Sequence, residues 1–479
     1  MAEPPDKLGR DVYVVAAVVV TGVIMSILDT TIVNVALETL ARELDAPLDT
    51  IQWVSTGYLL SLAIVIPLAG WAAERFGSKR VWMTSVTLFG LGSALCGVAW
   101  SAESLIGFRV LQGFGGGMIM PVGMTVLAQT AGPTRIGRVM SVVGIPMLLG
   151  PIMGPVLGGL IVDNASWRWI FYVNLPIVGL ALVLAWRLLS DESGRADAGR
   201  LDWRGLLLLS PGLGGVVFGL SQSESQGGFG HPLVLGPVVA GGLLVTAFVR
   251  HAGRAERPLI DLALFRSRAF SAAAATTFLM GGALFGAMIV LPLYYQIGRG
   301  ESALTAGLLM APQGLGAALA MPIAGRMTDR VGGGRVATVG LVVLTLATIP
   351  FAFVSESTAY APLAVLLVFR GLGLAGTLMP AMAAAYATLQ GSDIPRATSA
   401  VNVFRQLGGS LGTALLAVVL QGQIASRVSG FENGLERLPE ETRRSVAAPL
   451  ADAFAHTFWW AVAISLVALV PAVILMRAQ

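Results

Sequence analysis

Fourteen blocks of roughly 20 mostly apolar residues divide this chain, each long enough, at about 1.5 Å per helical residue, to cross about 30 Å of hydrocarbon. They cover about 12–37, 51–71, 81–100, 104–128, 139–162, 168–189, 203–221, 233–250, 269–296, 304–325, 336–354, 359–385, 397–420 and 457–476. Charge is correspondingly scarce. Of 479 residues 12% are charged and 55% apolar, against about 25% charged in a soluble domain. That leaves too little polar surface to coat a globule in water. Inside a bilayer every backbone polar group needs an internal partner, which blocks of this length satisfy as helices. The expected fold is an all-α integral membrane protein.

The positions of the polar residues give that fold an orientation. The balance of 31 Lys+Arg against 27 Asp+Glu does not point to nucleic acid, because the basic residues sit in short loops between apolar blocks. Counting alternate loops places 21 of them on one side and 7 on the other, a bias that puts both termini in the cytoplasm. The ten tryptophans fall at predicted block ends, where an amphipathic ring prefers the headgroup layer. A single cysteine, Cys96, allows no internal disulfide, and His231, His251 and His456 have no metal-ligand spacing. The first apolar block is long and lacks an evident A-x-A site, so it reads as a retained helix rather than a signal peptide.

Three segments recur at nearly one offset. Residues 70–80 (GWAAERFGSKR) match 325–335 (GRMTDRVGGGR), Arg109 in FRVLQG matches Arg370 in FRGLG, and residues 138–154 match 396–412. The last match pairs Arg138 with Arg396, Ser141 with Ser399, Gly150 with Gly408 and Gly154 with Gly412. A duplication explains this, with six-helix bundles over 11–190 and 266–479 and an unrepeated pair of helices over 200–252. Repeated halves around a midplane site are the architecture of alternating-access transporters.

On these residues the chain resembles the fourteen-helix drug:proton antiporter family of the major facilitator superfamily. LDTTIVNVAL (Leu28 to Leu37) is similar to that family's first-helix signature, with its membrane aspartate at Asp29. Gly70, Glu74, Arg75, Gly77, Lys79 and Arg80 resemble the superfamily's gate loop, repeated at Asp329 and Arg330. Arg109, Gln112 and Gly113 resemble its helix-4 arginine motif, and WRWIFYVNLP (Trp167 to Pro176) its helix-6 opening. Gly150, Gly154, Pro155, Gly158 and Gly159 resemble the motif associated with antiporters rather than symporters. The chain departs from the family pattern at Glu74, where aspartate is usual, and at Glu38, where many relatives have proline. It also has no acidic residue in helix 10, which counts against dications. The resemblance implies a monomeric multidrug efflux transporter of the bacterial inner membrane. It would export hydrophobic, often cationic, small molecules in exchange for protons, with membrane lipids around it and no cofactor beyond the proton gradient.

The residues themselves suggest how such exchange would work. Asp29 is the one carboxylate deep in an apolar block, and a charge at a helix centre costs about 2.5–3.5 kcal/mol on insertion scales. Helical rise puts Asp29 roughly 6 Å, and Arg109 roughly 9 Å, to the outer side of their helix midpoints. Desolvation favours the protonated acid and a neighbouring guanidinium favours the carboxylate. A pair that approaches and separates therefore takes up and releases a proton, whereas a permanent pair would only pin two helices. Glu74 and Asp329 can either break interdomain ion pairs during gating or serve as orienting loop charge. Gly150, Gly154 and Gly158 line one helix face and permit close packing, while Pro146, Pro151 and Pro155 allow kinking.

Asn34, Tyr58, Gln112, Gln296, Gln313, Asn402 and Arg405 are candidates for the substrate path, and each can equally be interhelical glue. Met118, Phe278, Phe285 and Tyr295 suit an adaptable apolar cavity or a lipid-facing surface. Arg370 and Arg405 are too costly to face lipid. The match of Gly371, Gly373 and Gly376 to a dinucleotide fingerprint lies inside an apolar helix and carries no such meaning. No Walker loop or catalytic constellation marks an enzyme. The alternatives that remain are export or flipping of a lipid or metabolite, proton symport of a polar solute, and a non-transporting sensor.

Overall fold

The computed structural model describes residues 9–132, 135–191, 199–223, 226–387, 389–428 and 446–479. Lys7, Arg195, Arg437, Arg443 and Arg444, which entered the loop-charge reading, lie outside them. The order is α1 Arg10–Val35, the short α2 Leu37–Glu43, α3 Leu48–Phe76, α4 Ser78–Gly97, α5 Ala102–Ala131 and α6 Ile136–Asn164. Then follow the one-turn α7 Trp169–Tyr172, α8 Asn174–Leu188, α9 Trp203–Ser221 and α10 Pro232–Ala252. The rest is α11 Arg268–Leu293, α12 Ala303–Val331, α13 Gly333–Thr348, α14 Tyr360–Ala387, α15 Ile394–Ala425 and α16 Ala447–Ala478. Among the described residues there are no strands.

Among the described residues, twelve helices are long and apolar enough to cross a membrane by length and composition. The long helices outside those twelve are α4 and α6. α4 opens on Ser78, Lys79 and Arg80 and carries serines and glycines that are buried, among them Ser85, Gly90, Gly92 and Ser93. It spends its polar groups on packing along α5 rather than on lipid, while α6 lies along α1 and α12.

The observed helices overrun the apolar blocks. α3 continues through Glu74 and Arg75 to Phe76, and α16 begins at Ala447 rather than 457. A helix that leaves the hydrocarbon loses its apolar side chains before its hydrogen bonding, so composition marks the membrane and not the helix end. The block 168–189 is broken at Val173 into α7 and α8, and that at 269–296 runs on into a π turn, Tyr294–Gly298.

One pattern of neighbours occurs twice. α3 packs on α5, α4 on α5 and α1 on α6; α12 packs on α14, α13 on α14 and α11 on α15. α9 and α10 pack on each other, and α9 also touches α3 and α15. The two sets meet chiefly along α6–α12 and α3–α15. Trp82 and Trp167 depart from the expectation of interfacial tryptophans. Both are buried, and Trp82 fits because Gly22 and Gly123 leave room for its indole.

Candidate functional site

Asp29 is fully buried on α1, and other helices complete its hydrogen bonding. Arg109 of α5 donates from Nη1 to Oδ2 at 2.6 Å. Gln112, one turn further along α5, donates from Nε2 to Oδ1 at 2.9 Å, and Asn174 at the start of α8 donates from Nδ2 to the same oxygen at 3.0 Å. Around the pair, Arg109 also donates to Gln112 Oε1 (2.8 Å) and to the Val54 carbonyl (3.1 Å), while its guanidinium lies 4.1 Å from the Tyr58 ring centroid. Asn174 is held in turn by Ser93 at 3.0 Å, whose hydroxyl donates to the Phe171 carbonyl. The Cys96 thiol lies 3.6 Å from Gln112 Oε1.

The two charges that the sequence places at one depth are thus in direct contact, in a cluster drawn from α1, α3, α4, α5 and α8. Such a charge-assisted pair, with its remaining lone pairs satisfied, is the kind of arrangement that tolerates burial. Tyr58 and Gln112, expected along a substrate path, belong to this cluster. Asn174 and Ser93 escaped the sequence reading. The available signal was an asparagine inside WRWIFYVNLP, the segment already singled out there.

A second arrangement lies at the end of the bundle where α1 begins and α16 ends, here the termini end. Arg396 at the start of α15 donates to Glu74 Oε2 on α3 from Nη2 (3.0 Å) and Nε (3.1 Å). Arg138 at the start of α6 donates to Asp329 Oδ2 on α12 at 2.7 Å, and the Gly137 amide donates to Oδ1 at 2.8 Å. The glycines repeat as the carboxylates do. Gly77 and Gly332 end α3 and α12 at φ 87° and 91°, a conformation that favours glycine. A Cβ at Gly70 would meet the Pro395 carbonyl oxygen at 2.9 Å, and one at Gly325 would meet Arg138 Cα at 2.9 Å. Ser399 closes the same seam by donating to the Ile66 carbonyl at 2.6 Å. Lys79 points elsewhere, to the Trp186 carbonyl (3.1 Å) and Asp191 (3.4 Å), while Arg75 and Arg80 are exposed.

The remaining candidates scatter. A Cβ at Gly150 would press on Ile27, at Gly154 on Thr31 and at Gly158 on the Ile32 carbonyl, so this face of α6 seats α1; Gly159 has open space. The α6 helix runs unbroken through Pro155, whose side chain lies outside the described residues, as do those of Pro146 and Pro151. Gly408 and Gly412 seat α15 on α11 in the same way, against Phe278 and Gly282. Asn34 is exposed and accepts from Ser55 at 2.9 Å. Gln296 lies half-buried in the π turn. Gln313 accepts from Arg370 at 3.1 Å, and Asn402 is buried beside Arg405 on α15. Tyr295 is buried among Tyr294 and Tyr360, whereas Met118, Phe278 and Phe285 are half-buried.

The Multidrug resistance protein B homolog of Mycobacterium tuberculosis is 42% identical over 497 aligned residues, spanning 99% of this chain and 92% of that protein. The Multidrug export protein EmrB of Haemophilus influenzae is 34% identical across 82% of this chain and 77% of its own length. Among solved structures, the human organic anion transporter MFSD10 superposes with a TM-score of 0.64 at 14% identity, covering 97% of this chain and all of that one. That likeness speaks to the fold alone. Residues 19–413 match the family description itself, and on these grounds the chain belongs to the Major Facilitator Superfamily.

Proposed function

We propose that this chain is a proton-coupled antiporter that exports hydrophobic small molecules, a member of the fourteen-helix drug:proton branch of its superfamily. In this reading α4 and α6 complete fourteen spans. Residues 11–190 and 266–479 act as two moving bundles, with 200–252 inserted between them. The protein works as a monomer in a bacterial cytoplasmic membrane with both termini inside and needs only the proton gradient. The multidrug names of the relatives support the substrate class.

One observation carries the coupling: a fully buried carboxylate whose every ligand comes from another helix. In the arrangement described, Arg109 is paired with Asp29. Movement of α1 against α5 and α8 would withdraw those donors, leaving a desolvated carboxylate that takes a proton from the outer side. Re-pairing of Asp29 with Arg109 once the seam at the termini end has opened would release that proton inward, driven by about 2.3 kcal/mol per charge per 100 mV. The repeated ion pairs at the termini end would close the inner gate.

In inverted vesicles energised to an acidic interior, a transported fluorescent drug should dissipate the pH gradient in the wild type and not in Asp29→Asn at equal membrane insertion. Full drug-induced proton flux in Asp29→Asn would remove Asp29 from the mechanism.

A further inference from the structure

Arg405 on α15 is the buried cation for which the surrounding protein does least. Its Nη2 donates to Asn402 Oδ1 at 3.3 Å and touches Met120 Sδ of α5 at 3.2 Å, both neutral acceptors, and its Nε is buried without any hydrogen-bond partner. Arg109, by contrast, has a carboxylate, an amide oxygen, a backbone carbonyl and a tyrosine face. The buried Tyr386 of α14 lies within electrostatic reach of the Arg405 guanidinium. Its buried hydroxyl makes no well-formed hydrogen bond, and the neighbouring Thr398, whose own proton goes to the Ile394 carbonyl at 2.7 Å, offers it only a hydroxyl oxygen.

Among the described residues no carboxylate acts on the Arg405 guanidinium. Between Arg268 and Leu293, Tyr360 and Ala387, and Ile394 and Ala425 there is no Asp or Glu, and α5 has only Glu103 in its first turn. Among the described residues Asp29 is the one buried acid, against buried Lys79, Arg109, Arg370 and Arg405. An uncompensated guanidinium in a membrane interior is costly and kept only for a purpose. Its place fits that purpose, because α15 presents Arg405 to α5 across the seam between the two helix sets, where separation of the sets would uncover it.

We propose that Arg405, with the Tyr386 hydroxyl, forms an anion-accepting subsite on the transport path, so that the preferred cargo is an apolar body bearing a carboxylate or similar anionic group. This rests on the efflux reading for its setting but fixes the charge of the cargo, against the cationic preference expected from family resemblance.

The test uses the full-length protein in phosphatidylcholine nanodiscs. Two dansylated eleven-carbon chains are titrated, alike except for a terminal carboxylate or trimethylammonium. The wild type should bind the carboxylate probe roughly tenfold or more tighter, the scale of hydrogen bonds to a charged group. Arg405→Gln should erase that gap while keeping affinity for the trimethylammonium probe; Arg405→Lys should keep most of it. Tyr386→Phe should weaken only the carboxylate probe. A wild-type preference for the cation, or a gap unchanged in both Arg405→Gln and Tyr386→Phe, overturns the proposal.

Phosphatidylglycerol added to the discs competes if the occupant is a lipid headgroup; unchanged affinity assigns the site to a soluble amphipathic acid. Proton flux in proteoliposomes is read separately. An end-group preference without proton-coupled flux would defeat the antiport reading alone, and flux without the preference would defeat the anion subsite alone.

Discussion

At the scale of single residues, the Asp29–Arg109 pair sets its own test. Each partner is sealed from solvent, so removing one strands the other, a loss of about 3–5 kcal/mol for buried pairs. Asp29→Asn and Arg109→Gln should each lower the thermal midpoint of the detergent-solubilised protein. The double variant should lose less than the sum, with a coupling of about 1–3 kcal/mol. Strict additivity would mean that the two charges are compensated independently, and that the contact is incidental. The same cluster shows what a single sequence reveals. Asp29 and Arg109 stood out because a charge in an apolar block has few bland explanations. Asn174 and Ser93 did not, because a neutral polar side chain in a membrane helix is ordinary interhelical glue until its neighbours are known. Trp82 misled for the matching reason: its position near a block end suggested the interface, while the room made for it by Gly22 and Gly123 belongs to other helices.

At the scale of helices, spacing identified a face of α6 but could not say what it meets. The structure seats that face on α1, and it separates glycines that the sequence treats alike. Gly154→Val would drive a branched side chain into Thr31, forcing α1 and α6 apart, whereas Gly159→Ala meets nothing within 4 Å. Gly154→Val should therefore reduce both the yield of folded protein and its thermal midpoint. Gly159→Ala should leave the midpoint unchanged or raise it, since alanine exceeds glycine in helix preference by up to about 1 kcal/mol. Equal damage from both would show that the motif acts through some surface other than the α1 contact. The helices themselves were legible almost throughout, because hydrocarbon thickness imposes block length. Their ends were not, since polar turns such as Glu74-Arg75-Phe76 stay helical after leaving the apolar layer.

For the whole molecule, the duplicated segments have a consequence that neither copy has alone. Glu74 with Arg396 and Asp329 with Arg138 each tie one helix set to the start of a helix in the other, so the seam at the termini end is closed by two equivalent clamps. Their side chains are 7–16% exposed, which places them between surface pairs of little worth and fully buried ones. If each contributes about 1.5–3 kcal/mol, as hydrogen bonds to charged groups do, losing one leaves the closed seam favoured. Losing both removes about 3–6 kcal/mol, enough to carry a two-state balance most of the way from one side to the other. Spin labels at Arg80→Cys and Arg335→Cys, exposed positions on the two sets at this end, report the separation once buried Cys96 is replaced by alanine. Glu74→Gln or Asp329→Asn alone should leave a mainly short distance with a minor long population, and the double variant should be mainly long. The response should exceed the sum of the single shifts in population, because free energies add and populations do not. An unmoved distance in the double variant would reduce both carboxylates to helix-end charges without a gating role, and the closing of this end would have to come from the Gly70–Pro395 and Gly325–Arg138 backbone contacts instead.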